Sequence, residues 1–193
     1  MFDPDLVLET SMVRVRVLLQ EDRTELEKLT GNKSLWKFFP SDLFDGKDLK
    51  MWIEQALQQF KLRQKIPFVI VDKKLNRLIG CTSYGNISEI DQRLEIGWTW
   101  LGKDFQGKGF NPHCKFLLLR HAFELLDFER VEFKTDVLNQ QSRNALRKIG
   151  AVEEGVLRSH TLMPGNRRRD TIYYSILKKE WEYVKSGIFS HVL

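Results

Sequence analysis

Cysteine is scarce in this sequence, and no hydrophobic run approaches the roughly 20 residues of a membrane-spanning helix. Cys81 and Cys114 form no CxxC pair and no Cys/His pattern with metal-ligand spacing, so neither a disulfide scaffold nor a zinc site is expected. The first ten residues, MFDPDLVLET, are acidic where a signal peptide is basic and apolar. These absences predict a soluble cytoplasmic protein with reduced, buried thiols.

Proline, glycine and serine are nowhere concentrated into a linker, and no internal repeat or low-complexity segment appears. With 193 residues, of which 42% are hydrophobic, the chain is long enough for one domain with a substantial core. Its 13 Phe and 5 Trp residues can fill that core. We therefore expect a single domain over residues 1–193.

Charge of one sign is not in large excess, since 31 Lys and Arg residues face 26 Asp and Glu residues, for a net charge of +5. This mild basicity suits a phosphorylated cofactor, nucleic acid or an acidic protein surface, and it does not distinguish between them. The one dense basic run is Arg167–Arg169, which follows the Pro164-Gly165-Asn166 turn. Two interpretations stay open for it: contact with an acidic partner or RNA, or the solvated end of a hairpin.

The periodicity of apolar residues predicts an α+β fold, with a mostly antiparallel central sheet of about seven strands and helices on its faces. Strands are predicted at residues 13–18, 67–71, 78–84, 94–101, 131–137, 152–162 and 170–177. Helices are predicted at residues 21–30, 47–62, 111–126 and 140–149.

The sharpest feature is a glycine-rich turn, QGKGFNP, between the strand LEIGWTWL and the long helix. Gly107 and Gly109 let backbone N–H groups approach a phosphate, and a helix N-terminus adds unpaired donors and the positive end of a dipole. Asn111 followed by Pro112 is typical of an N-cap and a first helical position, so the donors should come mainly from residues 107–111. A tight turn without a ligand is the alternative, and the turn matches neither a Walker loop nor the dinucleotide fingerprint.

Two separated motifs in the sequence resemble those of the GNAT acetyltransferase superfamily. The first, Gln106-x-x-Gly109-x-Asn111, is similar to the family's Q/R-x-x-G-x-G/A motif, with Asn111 where Gly or Ala is usual. The second, NQQSRNALRKIGA from Asn139, resembles the N-x-x-S…K-x-G-F/A signature of the RimJ/RimL branch, which acetylates ribosomal-protein N-termini. The resemblance covers residues 13–177 and implies the GNAT fold, acetyl-CoA as co-substrate and direct acetyl transfer to a primary amine.

The resemblance also implies which residues bind the co-substrate. The CoA diphosphate would lie on the glycine-rich turn, at Gln106, Gly107, Lys108, Gly109, Phe110 and Asn111. Asn139 would hydrogen-bond the pantetheine, and as the N-cap of its helix it would have a structural role as well. The strand LEIGWTWL would supply a backbone N–H that polarises the thioester carbonyl, from Trp98, Thr99 or Trp100.

A proton acceptor and a proton donor are implied by the same resemblance. Glu95 lies on the strand where some GNAT enzymes carry a Glu that accepts the amine proton, often through water. An exposed Glu95, or one in a cross-strand pair, is the alternative. Ser142 occupies the position of the residue that would protonate the CoA thiolate, and its alternative role is a hydrogen bond within the first turn of its helix.

Nothing in the sequence identifies the amine acceptor, so a protein N-terminal α-amine and a small-molecule amine both stay open. The resemblance places the acceptor pocket between residues 26–60 and 157–169. Four aromatic residues of the first segment could line the pocket or belong to the core: Trp36, Phe38, Phe39 and Phe44.

Two other functions are alternatives: a CoA-binding sensor without turnover, and a nucleic-acid-binding protein. The absence of an RNA-binding motif disfavours the second of these, and no membrane partner is expected. A metal is not expected either, because His113 and His121 are eight residues apart on one helix and cannot easily share an ion. A homodimer is left open.

Overall fold

In the computed structural model, which describes residues 1–192, one eight-stranded sheet separates two layers of helices. The strands are β1 (Val7–Glu9), β2 (Val13–Val17), β3 (Ile66–Asp72), β4 (Arg77–Ser88), β5 (Arg93–Leu101), β6 (Arg130–Asp136), β7 (Val152–Leu162) and β8 (Arg168–Leu177). The α-helices are α1 (Arg23–Thr30), α2 (Gly46–Lys61), α3 (Phe110–Arg120), α4 (Gln140–Lys148) and α5 (Lys178–Gly187).

The strand order is β1-β2-β3-β4-β5-β6-β8-β7, and within the described residues only β5 and β6 pair in parallel. The predicted α+β class with a mostly antiparallel sheet is therefore confirmed. The sheet has one strand more than predicted because β1, only three residues long, pairs with β2. The sequence pattern predicts neither this short strand nor the final helix α5.

Two hydrophobic clusters cover the opposite faces of the sheet. The larger one joins α3 and α5 to one face, and the smaller one joins α1 and α2 to the other. The central strand β3, IPFVIVD, is buried along its whole length because helices lie over both of its faces, which explains its continuous apolar sequence. In β2, VRVRV, buried and partly exposed residues alternate as the sequence predicts.

The long helix begins at Phe110, with Gly109 as its N-cap, so the N-cap role predicted for Asn111 is wrong. The chain turns sharply at Gly109, whose φ of 88° is a left-handed conformation that favours glycine. Asn111 and Pro112 follow within the first helical turn. Proline is tolerated there because its missing N–H would have had no partner within the helix. Beyond Arg120 the helix continues as a π-helical turn, His121–Leu125.

The parallel pairing of β5 and β6 ends after three residue pairs, the last of which is Glu95 with Glu132. Beyond it, β5 stays paired with β4 and β6 stays paired with β8. The register between β4 and β5 shifts near Trp98, whose φ of 51° marks a β-bulge. We call the unpaired interval beyond Glu95 and Glu132 the β5–β6 gap. It leads from Glu95 towards the glycine-rich turn that starts α3.

Leu118→Ala should lower the free energy of unfolding by about 2–5 kcal/mol, because Leu118 is fully buried between α3 and the sheet and its truncation leaves a cavity. Leu125→Ala is the matched control, since Leu125 lies a few residues later and is 69% exposed. It should cost less than about 1 kcal/mol. Urea denaturation of both variants measures the difference, and equal losses would contradict this packing.

The stability of the protein should fall at acidic pH through His121. Burial, together with the positive charge of the N-terminus, lowers the pKa of His121 to about 4. As the pH falls from about 6.5 towards 4, the unfolded chain binds a proton that the folded chain does not, which removes about 2–3 kcal/mol of stability. His121→Gln cannot titrate, so its stability should change less between pH 7 and about pH 4.5. Parallel urea curves for both proteins would contradict the prediction.

Candidate active site

The glycine-rich turn has the geometry of an anion site. Gly107 and Gly109 have φ values of 73° and 88°, and both are exposed together with Lys108. A Cβ at Gly107 would meet no atom within 4 Å, and one at Gly109 would meet only Met12 Cε, at 3.8 Å. These glycines are therefore needed for backbone conformation and open access rather than for close packing. The exposed turn and the N-terminus of α3 together fit the diphosphate of CoA.

Side-chain amides connect this turn to its neighbours. Gln106 Nε2 donates to the Leu101 carbonyl over 3.2 Å, and Gln106 Oε1 accepts from Gln141 Nε2 over 3.4 Å. The first bond fixes the turn to the end of β5, and the second joins it to α4. The two predicted motifs, which are far apart in sequence, are therefore in direct contact.

Asn139 and Ser142 lie at the start of α4. Asn139 Oδ1 accepts a hydrogen bond of 3.0 Å from the Ser142 backbone N–H, so Asn139 is the N-cap, as its structural interpretation predicts. The Ser142 hydroxyl is half-buried and has no hydrogen-bond partner within residues 1–192. The alternative role, a hydrogen bond from this hydroxyl within the first turn of α4, is therefore not formed in the structure.

Glu95 is buried, with only 3% of its surface exposed, at the closed end of the β5–β6 gap. One of its carboxylate oxygens accepts a hydrogen bond from Asn86 Nδ2 at 2.5 Å and pairs with Lys134 Nζ at 2.8 Å. Lys134 lies on β6, so Glu95 forms a cross-strand ion pair and does not point into bulk solvent.

Two clefts meet at Asn86. The first, of about 390 Å³, lies beside α2, and we call it the α2 cleft; its walls include Trp52, Gln55, Gln59, Lys65 and Trp98. The second, of about 420 Å³, lies over the open face of β5, β6 and β8; its walls include Arg93, Lys134, His160 and Tyr173. Because Asn86 also contacts Glu95, both clefts reach the neighbourhood of this carboxylate.

The aromatic residues proposed for an acceptor pocket lie elsewhere. Trp36 and Phe39 are buried in the core, where the Trp36 ring lies 5.3 Å from that of Trp100. Neither Phe38 nor Phe44 lines the α2 cleft, whose aromatic walls are Trp52 and Trp98 instead. Hydrophobic sequence alone cannot distinguish a pocket wall from a core residue, since both positions are apolar.

The sequence predicts no role for two buried lysines near the gap. Lys65 Nζ lies 3.8 Å from the centroid of the Trp98 ring, and burial lowers the pKa of Lys65 to about 8. Lys115, on α3, donates a hydrogen bond of 2.7 Å to Thr99 Oγ1, and burial lowers its pKa to about 8 as well. The only available signal was a lysine within the apolar run of a helix, which marks Lys115 but not Lys65.

The arginine triplet does not form one surface patch. Arg167 forms an ion pair with Asp136, Arg168 contacts Ser159, and the buried Arg169 donates to Thr171 Oγ1 over 2.9 Å. Successive residues of a strand point to opposite faces, so the three side chains diverge. Neither a continuous basic surface nor a wholly solvated hairpin end describes them.

The two helical histidines bind different partners. His113 Nδ1 lies 2.9 Å from Thr10 Oγ1, and His121 Nδ1 lies 3.3 Å from the Tyr84 hydroxyl. Within residues 1–192 there is no group of three or more His, Cys, Asp or Glu side chains arranged to hold a metal. In the same part of the chain, no helix is both long enough and apolar enough to cross a membrane.

Comparison with known proteins gives a consistent result. Residues 13–152 match the protein-family model described as an acetyltransferase (GNAT) domain. YdaF of Bacillus subtilis (strain 168), named as a candidate ribosomal N-acetyltransferase, is 38% identical over 105 residues. That alignment covers 54% of this chain and 56% of YdaF, so the chain spans little more than half the length of this relative.

Two further similarities extend over almost the whole chain. N-acetyltransferase p20 of Bacillus licheniformis, an uncharacterized protein, is 32% identical over 175 residues, which cover 90% of this chain and 97% of p20. The crystal structure of a candidate acetyltransferase from T. thermophilus superposes with a TM-score of 0.88 at 32% identity. The superposition covers 99% of this chain and 98% of that one.

Lys134→Met should lower the free energy of unfolding by about 3 kcal/mol, because it leaves the Glu95 carboxylate buried without its ion-pair partner. Glu95→Gln in the Lys134→Met background should recover part of this loss, since the uncompensated charge is removed. Lys50→Met is the control: its pair with Glu54 lies on the surface of α2 and should be worth almost nothing. If the effects of Lys134→Met and Glu95→Gln on the free energy of unfolding were simply additive, the Glu95–Lys134 pair would contribute no coupling energy.

Proposed function

The chain belongs to the GNAT acetyltransferase family, and on this premise we propose that it transfers an acetyl group from acetyl-CoA directly to a primary amine. The acceptor is a protein N-terminal α-amine or a small-molecule amine; the name of YdaF supports the first of these. The observation that carries the proposal is the β5–β6 gap, which leads from an exposed glycine-rich turn to a buried carboxylate. Residues 1–193 act as a single domain in this proposal.

On the co-substrate side, the backbone N–H groups of residues 107–111 hold the diphosphate, and Asn139 contacts the pantetheine. The exposed Lys108 adds positive charge at the same place. When bound, acetyl-CoA supplies the activated acetyl thioester. The β-bulge at Trp98 supports a role for a backbone N–H of residues 98–100 as the donor to the carbonyl oxygen, because a bulge disturbs the regular pairing with β4.

On the acceptor side, Glu95 takes up the proton that the amine must lose before it can attack. Its ion pair with Lys134 and its hydrogen bond from Asn86 hold the carboxylate in position. Proton uptake occurs directly or through a water molecule in one of the adjoining clefts. The Ser142 hydroxyl, free of protein partners within residues 1–192, donates a hydrogen bond to the departing thiolate, which lowers the cost of its negative charge.

A CoA-binding module without turnover is the second candidate, because Lys134 and Asn86 already contact the carboxylate oxygen of Glu95. Both functions require acetyl-CoA binding, but only the transferase turns acetyl-CoA over. Release of free CoA thiol in the presence of an amine panel separates them, and binding without release would support the module.

Acetyl-CoA should bind to the protein with micromolar affinity, about −8 kcal/mol, and Gly109→Trp should abolish this binding. The indole would cover the exposed N–H groups, and the residue would also be strained at a φ of 88°. Gly165→Trp is the matched control, since Gly165 has a φ of 75°, lies in the distant β7–β8 turn and has equally open surroundings. Calorimetric titration measures all three proteins. Absence of binding to the wild type would refute the acetyltransferase proposal.

Glu95→Gln should lower kcat by about 100-fold or more while acetyl-CoA still binds, because an amide cannot accept the proton. Ser142→Ala should lower kcat by a smaller factor, since a hydroxyl donates a hydrogen bond but is a weak acid. Glu89→Gln, at an exposed position beyond the end of β4, is the control. Thiol release under saturating acetyl-CoA gives the rates. A fully active Glu95→Gln enzyme would remove Glu95 from the mechanism.

A further inference from the structure

Lys65 is a buried cation without an anionic partner. It directly precedes β3, only 6% of its surface is exposed, and it forms neither a hydrogen bond nor an ion pair with any residue from 1 to 192. Its ammonium stacks on the ring of Trp98 at 3.8 Å and lies 5.8 Å from that of Trp52. An aromatic face attracts a cation but accepts none of its three N–H bonds. The hydrogen-bond acceptors of this ammonium therefore come from outside the described residues, through the cleft that Lys65 lines.

This ammonium lines the α2 cleft. Among the described residues that line this cleft, Lys65 is the only one with a charged side chain. The other polar side chains that line the cleft are mainly amides, among them Gln55, Gln59 and Asn86. Glu95 is the nearby carboxylate, but it is already paired with Lys134. The cleft therefore has one fixed positive charge surrounded by neutral hydrogen-bond donors, which suits a carboxylate ligand.

The position of the cleft assigns this carboxylate to the amine acceptor. The site proposed for the phosphates of CoA is at the N-terminus of α3, and α3 packs on the sheet face opposite to α2. Asn86 lines the α2 cleft and hydrogen-bonds Glu95, so a ligand in the cleft extends towards the proposed base. A purely cationic acceptor would meet the charge of Lys65 instead of a free aromatic face.

We propose that the α2 cleft binds an amine acceptor that carries a carboxylate, with the carboxylate on Lys65 and the amine towards Glu95. This inference rests on the proposed acetyl transfer. The cleft volume of about 390 Å³ lies at the small end of the usual range for ligand sites, which matches a ligand of amino-acid size. A free amino acid and an acidic residue at a peptide N-terminus present the same chemistry to this site.

The test uses pairs of acceptors that differ only in a carboxylate and its amide. β-Alanine and β-alaninamide represent free acceptors, and peptides beginning with Asp or Asn represent protein N-termini. The acid of a pair should be acetylated with a kcat/KM at least about tenfold higher than that of the amide, mainly through a lower KM. Lys65→Met keeps the stem on Trp98 but removes the charge, so it should reduce this preference to within about twofold. Lys61→Met, at an exposed position at the end of α2, is the control and should keep it.

Acetylation of acids and amides at equal rates by the wild type would overturn the inference and leave the acetyltransferase proposal intact. If acetyl-CoA binds but no acceptor is acetylated, the proposed function fails. A direct binding measurement then tests whether Lys65 binds a carboxylate. In that measurement, calorimetry compares glutarate with glutaramide. Binding of glutarate alone, lost in Lys65→Met, supports the anion site, whereas equal or absent binding overturns it. A preference confined to the free acids or to the peptides identifies the source of the carboxylate.

Discussion

The early end of the β5–β6 pairing is the constraint on which the rest of the site depends. After three residue pairs, β5 stays with β4 and β6 stays with β8, so the two halves of the sheet are joined over a very short distance. Unpaired backbone groups in a sheet interior are costly unless something else satisfies them. A bound co-substrate with amide groups can do so. Glu95 lies at the closed end of this gap, and the glycine-rich turn follows the end of β5.

Electrostatics at the gap are dominated by positive charge. Lys65, Lys115 and Lys134 lie near the buried carboxylate of Glu95, and of the three only Lys134 forms an ion pair with it. Burial lowers the pKa values of Lys65 and Lys115 to about 8, and the charge of Glu95 opposes this shift in both. The site is therefore better suited to anionic ligands than the modest net charge of the chain suggests.

Sequence periodicity predicted β2 and α2, whose buried residues recur regularly, and a continuous apolar run predicted β3. It did not predict β1, which is too short for a periodic signal, nor the N-cap of α3, where the left-handed Gly109 takes the place of Asn111. The glycine-rich turn and the N-cap role of Asn139 were predictable because both are local. The contacts of Lys65 and Lys115 were not, because the partners of a single lysine depend on how distant elements pack.

Two of these lysines contact adjacent residues of β5 from opposite faces of the sheet. Trp98 belongs to the α2 side, where it stacks on Lys65, whereas the adjacent Thr99 bonds Lys115 of α3 on the other side. Neighbouring residues of a strand point to opposite faces, so one short segment holds a cation on each face of the sheet. That segment borders the β5–β6 gap. One buried cation therefore lies on each face of the sheet beside the gap, although neither lysine forms an ion pair with a described residue.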